Sequence, residues 1–194
     1  SGLVGSEMCI RDSVCILQNK DRFRAFLSEH GFMVPWAYGF SSKEEALSNY
    51  EVFSYPLIVK PTDSAGSKGV TRVDDVAKLS DALQEAFSYS IGKRVIVEEF
   101  IEKEGCSSDT DCFSVDGELK FVSFSAQRFD EHAANPYTPS AYSWPSTFSG
   151  EQEKELATEI QRLLKLLGMQ TSIYNVETRI GKNGKAYILS LIHI

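Results

Sequence analysis

The chain has 194 residues, with 20 Lys and Arg against 27 Asp and Glu, a formal net charge of −7 and 42% hydrophobic residues. That length supports one or two units with a real core, and the balanced mix excludes disordered, collagenous and disulfide-scaffold classes. The acidic balance argues against non-specific nucleic-acid binding. The lack of an apolar run of roughly 18 to 20 residues argues against a membrane span, so the cytoplasm is the expected location.

Cys9, Cys15, Cys106 and Cys112 form two pairs with five residues between the members of each. Structural zinc pairs sit roughly two to four residues apart, so reduced thiols are expected rather than a four-thiolate site. Residues 1–13 (SGLVGSEMCIRDS) and the last five (SLIHI) carry no period and resemble translated adaptor sequence. No function is expected of the tails 1–18 and 190–194.

From Asn19, a helix is signalled by Phe23, Phe26 and Leu27 on one face and closed by Gly31. An extended segment follows around Pro35, then a short helix Lys43–Asn49 capped by Ser42. Tyr55–Pro61 reads as a buried strand bracketed by prolines, followed by a small-residue loop, Thr62–Gly69, and a strand Val70–Val73. An amphipathic helix spans Asp75–Ser88, with Val76, Leu79, Leu83 and Phe87 on its stripe. Arg94–Ile101 is a strand, and Thr110–Phe129 is a hairpin around Asp116-Gly117. The stretch Asp130–Gly150, rich in Pro, Ser, Asn and Tyr, reads as a long loop of the kind that is usually functional or mobile. Helix Glu151–Leu167 stops at Gly168, and a last hairpin joins Ile173–Ile180 to Lys185–Leu191. Strands mixed with a few helices imply an α+β fold with largely antiparallel sheets.

The chemistry concentrates in Ile58-Val-Lys60-Pro-Thr-Asp-Ser64-Ala-Gly66-Ser67-Lys68-Gly69-Val70. A lysine ending a buried strand beside a loop of Ser, Ala and Gly offers an ammonium and uncovered backbone N–H groups together, which suits a polyphosphate. Neither the P-loop spacing nor the dinucleotide Gly-x-Gly-x-x-Gly pattern is present.

Four segments in order resemble the ATP-grasp family, covering about residues 19–189: Asn19-Lys20-Asp21 through Gly31-Phe-Met-Val-Pro35; Tyr55 to Pro61 with its loop; Val97-Glu98-Glu99-Phe100-Ile101-Glu102; and Tyr174-Asn175-Val176-Glu177-Thr178-Arg179. The resemblance implies two α+β subdomains, 19–98 with a phosphate lid and 99–189, clamping ATP. It assigns Lys20 and Lys60 to the phosphates, and Ser64, Gly66, Ser67 and Gly69 to the lid with Lys68 on its rim. The linker Glu98, Glu99, Phe100 and Ile101 meets the adenine edge through its backbone. The ribose acid is left among Glu102, Glu104, Asp109 and Asp111, of which Asp111 best fits the family's Gly-Asp-x-Phe variant.

For the magnesium expected with ATP, with manganese as a substitute, the resemblance supplies Glu177. The family's second Glu and its Asn fall at Ser190 and Ile192, where the adaptor-like tail begins, and a truncated site is the expected reason. Arg128 and Arg179 are candidates for stabilising transferred phosphate or a substrate carboxylate, with a surface ion pair as the alternative for each. His132 reads as an exposed loop histidine.

The implied activity is that of an ATP-dependent ligase fragment. It would activate a small-molecule carboxylate as an acylphosphate for attack by an amine or other nucleophile, with flanking domains in a longer chain and no nucleic-acid or membrane partner. The rival readings are a nucleotide-binding module without turnover and a structural α+β domain.

Overall fold

The computed structural model describes residues 16–64, 66–133 and 135–193. The expectations for residues 1–15, including Cys9 and Cys15, lie outside them, as does Ala65 of the small-residue loop.

Helix α1, Lys20–Glu29, buries Phe23, Phe26 and Leu27, and Gly31 closes it at φ 71°. Asn19 stands extended at the N-cap without a side-chain cap bond, and the Lys20 N–H donates instead to the Thr62 carbonyl at 3.2 Å. This bond ties the start of the helix to the end of a strand far along the chain.

The first sheet joins β1 (Ala37–Phe40), β4 (Val95–Glu99), β2 (Leu57–Pro61) and β3 (Thr71–Val73) in that spatial order, all antiparallel. Helices α2 (Lys43–Ser48) and α3 (Leu79–Tyr89) cover one face. Ser42 caps α2 by accepting from the Glu45 N–H. The predicted helix from Asp75 instead starts as a 3-10 turn, Val76–Lys78, so Val76 is exposed and the stripe begins at Leu79. Leu57, Val59, Val73, Leu79, Leu83, Val95 and Val97 form the first core.

The second sheet runs β10 (Ala186–His193), β9 (Ser172–Ile180), β5 (Ser108–Val115), β6 (Glu118–Phe124), again antiparallel. The turn at Asp116 and Gly117 has both φ positive, as a two-residue hairpin requires. Helix α4 (Gly150–Leu166) packs on the sheet, begun by a capping box between Ser149 and Gln152. Leu156, Ile160, Leu163 and Leu164 meet Cys112, Phe124, Tyr174, Val176, Ile180 and Leu191 in the second core. Although α1 comes before the first sheet in sequence, its Phe23, Phe26 and Leu27 are buried in this second core. One helix therefore spans both sheets.

Two sequence expectations are corrected. The strand expected to run to Phe129 breaks at Ser125, whose N–H donates to Ser108 Oγ and whose hydroxyl donates to the Asp109 carbonyl. Residues Ala126–Phe129 leave as β7 and pair with β8, Pro139–Ser143, inside what was expected to be a plain loop. A strand that leaves its sheet carries unpaired peptide groups, and β8 satisfies them.

Because Leu163 is fully buried between α4 and the second sheet, Leu163→Ala is expected to cost about 2–5 kcal/mol. Urea denaturation followed by circular dichroism checks this; a loss under about 1 kcal/mol would mean that the helix is not seated there.

Candidate functional site

The alternation of β2 sends Leu57 and Val59 into the first core and turns Ile58 and Lys60 to the opposite face, which looks toward the second sheet. On β4, Glu98 pairs across from Ile58 and lies 5% exposed. Its carboxylate takes Lys60 Nζ on Oε1 and Arg24 Nε on Oε2, the latter at 3.1 Å. Arg24 is 3% exposed and also donates from Nη1 to the Leu189 carbonyl of β10 at 2.8 Å, while its Nη2 is buried without a partner. Burial works against the charge of Glu98, but Lys60 and Arg24 outweigh it and hold the carboxyl down at about 2.

Lys20 reaches in from the first turn of α1, its Nζ donating to the Ser64 carbonyl at 2.6 Å. Burial and the neighbouring Lys60 bring its ammonium down to about 8, with Glu98 and Glu177 partly offsetting them. Lys60 is lowered as well, chiefly by burial. Two ammonium groups thus face one small region beside a turn of small residues. Gly66, Ser67 and Gly69 all have positive φ, and a Cβ on Gly69 would meet the Tyr89 ring at 2.8 Å. Lys68 is exposed on the rim. The turn is held from the far side: Ser67 Oγ donates to the Tyr137 carbonyl and Asn135 Nδ2 to the Ser67 carbonyl, each at 2.9 Å.

The linker between the sheets has most of its peptide groups committed. The Glu99 N–H donates to the Trp36 carbonyl, the Phe100 N–H to the Pro56 carbonyl, and the Ile101 carbonyl accepts from Arg179 Nη1 at 3.0 Å. Arg72 stacks 4.3 Å over the Phe100 ring.

On the second sheet, Val176, Thr178 and Ile180 point into the core, and Asn175, Glu177 and Arg179 point to the cleft. Strand pairing sets Asp109 beside Glu177 and Asp111 beside Asn175, whose Nδ2 donates to Asp111 Oδ1 at 3.1 Å. Burial raises the Asp109 carboxyl, with repulsion from Glu177 and Asp111 adding to it. Of the other ribose candidates, Glu102 is engaged by Lys182 at 2.6 Å and Glu104 is exposed. Arg179 spends Nε on Ser107 and Nη1 on Ile101. Arg128 is exposed on the β7–β8 ribbon, with its guanidinium on Ser143 and Cys106. His132 is exposed.

On β10, Ser190 stands opposite Glu177 and Ile192 opposite Asn175, just past an irregularity between Ile188 and Ser190. Magnesium needs hard oxygens in near-octahedral array. Neither Ser190 nor Ile192 offers a carboxylate or amide oxygen, and among the described residues no three His, Cys, Asp or Glu side chains could together hold a metal ion. These residues do not fit a complete magnesium site.

Lys20, Lys60, Glu98, Glu177 and Arg179 therefore gather at one cleft, bounded by the small-residue turn at residues 66–69 and the segment 98–101, while Arg128 stays on the ribbon. Arg24 and the side-chain role of Glu98 escaped the sequence reading. The available signal was Arg24 lying four residues after Lys20, on the same helical face.

A family model described as an ATP-grasp domain matches residues 53–191. The chain is similar to the carbamoyl phosphate synthase large chain of Thermotoga neapolitana, 25% identical over 178 residues, which is 92% of this chain and 16% of that protein. Among solved structures, it is similar to the VanG D-Ala:D-Ser ligase from Enterococcus faecalis, with TM-score 0.77 and 25% identity over 92% of this chain and 53% of that one. It is similar in fold to the L-amino acid ligase from Bacillus licheniformis, with TM-score 0.74 and 23% identity over 92% and 41% of the two chains. With two antiparallel sheets facing across a lysine-lined cleft, and a family model matched over most of its length, the chain belongs to the ATP-grasp family.

Proposed function

We propose that this chain is the ATP-binding part of a ligase that activates a carboxylate as an acylphosphate for attack by an amine or other nucleophile. The observation that carries the reading is the pairing of two partly buried ammonium groups, Lys20 and Lys60, with a lid turn of positive-φ residues. Phosphate oxygens are natural partners for both.

In the reaction, a carboxylate oxygen attacks the γ-phosphorus of ATP and the bond to the β-phosphate oxygen breaks, releasing ADP. The nucleophile then adds to the acyl carbon and phosphate leaves. Such transfer asks the protein for positioning and charge neutralisation more than for a covalent group of its own. Lys20 and Lys60 neutralise the phosphates. Ser64, Gly66, Ser67 and Gly69 cover them, with Lys68 at the edge. Glu98, Glu99, Phe100 and Ile101 form the adenine side through their backbone groups. Asp111 serves the nucleotide side. Arg179 braces the linker near the developing charge, and Arg128 serves the outer, acceptor side. A magnesium or manganese ion comes with the triphosphate, and Glu177 is the one side chain assigned to it. No helix among the described residues is long and apolar enough to cross a membrane.

Two measurements test the reading. A rise in melting temperature with Mg-ATP is expected, and its absence would favour a structural domain. Phosphate release on adding carboxylate and amine pairs separates a ligase from a module that only binds nucleotide.

The Lys20 ammonium, lowered to about 8, adds a pH signature. The free protein loses this proton as pH rises through 8, whereas a bound triphosphate favours the charged form. ATP affinity is therefore expected to be flat below about pH 7 and to fall by up to about tenfold per pH unit above 8. Titration calorimetry across pH 6.5–9.5 checks this, and Lys20→Met should flatten the profile; an unchanged slope in that variant would remove Lys20 from the site.

A further inference from the structure

We infer that Arg24 is a positioning residue of the phosphate site, keeping Glu98 partnered when Lys60 leaves that carboxylate for a phosphate. This rests on the nucleotide reading and adds a residue that no motif indicated.

The geometry is specific. Glu98 has two carboxylate oxygens and two cationic partners, one on each: Lys60 on Oε1 and Arg24 on Oε2. In this arrangement the Lys60 ammonium is held by protein, so a phosphate has to compete with Glu98 for it. Glu98 is 5% exposed, and a buried carboxylate that loses its only partner is strongly disfavoured. With Arg24 in place, Glu98 keeps an ion pair on Oε2 after Lys60 turns away. Without Arg24, Lys60 becomes its sole counterion, and phosphate binding would leave Glu98 alone.

Arg24 can stay while Lys60 moves because it is anchored elsewhere. Its Nη1 is fixed on the Leu189 carbonyl, beside the irregularity of β10, and α1 holds the side chain buried. Its Nη2 is buried and unpartnered. A packing role alone would be met by an apolar side chain of the same length, without an unmatched donor.

The test compares ATP with adenosine, which lacks phosphates, by titration calorimetry on the whole chain. Arg24→Met is expected to weaken ATP by about tenfold or more while leaving adenosine within about twofold. Arg24→Lys, which keeps a cation beside Glu98, should retain ATP affinity within about threefold of the parent protein. Adding Glu98→Gln to Arg24→Met should restore it to within about threefold, since no carboxylate is then left to compensate.

Equal losses for ATP and adenosine, or no recovery in the double variant, would overturn the inference and leave the nucleotide reading standing. Failure of the parent protein to bind ATP or adenosine would sink both. If Arg24→Met alone does not fold, the double variant is compared with Glu98→Gln alone: equal ATP affinity supports the assignment, and a gap above about tenfold overturns it.

Discussion

Replacing Lys60 with methionine should weaken ATP binding by about 10- to 150-fold, the range that corresponds to about 1.5–3 kcal/mol for a charge-assisted hydrogen bond. Methionine fills most of the space of the lysine stem, and Glu98 keeps Arg24 as partner, so the fold should hold with a modest change in melting temperature. Lys68 is the natural comparison because it is exposed on the rim, and Lys68→Ala should change the dissociation constant by less than about threefold. Calorimetric titration of the three proteins decides the matter. If the Lys60 variant binds ATP as the parent does, the pocket is misplaced.

A second large effect is a gain. Ser190 and Ile192 face Glu177 and Asn175 across paired strands, where directly opposed side chains start about 4.5–5.5 Å apart at Cβ. Installing Ser190→Glu with Ile192→Asn therefore places a second carboxylate and an amide oxygen beside Glu177, the hard donors that magnesium favours. The double variant is expected to bind ATP at least about tenfold more tightly with magnesium than without it, and the parent should show a smaller ratio. Adding Glu177→Gln should cancel the gain. If the ratio is the same in parent and double variant, Glu177 does not face the nucleotide.

Much of the fold was legible because its causes are local. Leucines and isoleucines spaced along α4, the alternation of Leu57, Val59 and Lys60, and the positive-φ turn at Asp116-Gly117 each act within a few residues. The helix begins one turn later than the apolar spacing from Asp75 implies, because an apolar residue at helical spacing, Val76, does not reveal whether a core lies beside it. The break at Ser125 was invisible for a related reason: its partners, Ser108 and Asp109, lie on a neighbouring strand.

The site divides along the same line. Lys60 stood out because a lysine is unusual at the end of an apolar strand, whereas Glu177 was singled out by the family resemblance. The amino-acid order alone was enough for the α+β class and for the small-residue turn after Lys60, since periodicity and glycine placement are short-range properties, while Lys20 was singled out by the family resemblance. Only folding revealed that α1 belongs to the second core and that Arg24, Lys60, Glu98 and Leu189 meet. Those four lie on α1, β2, β4 and β10, and ion pairing among buried groups depends on distance through space, which spacing along a chain does not encode.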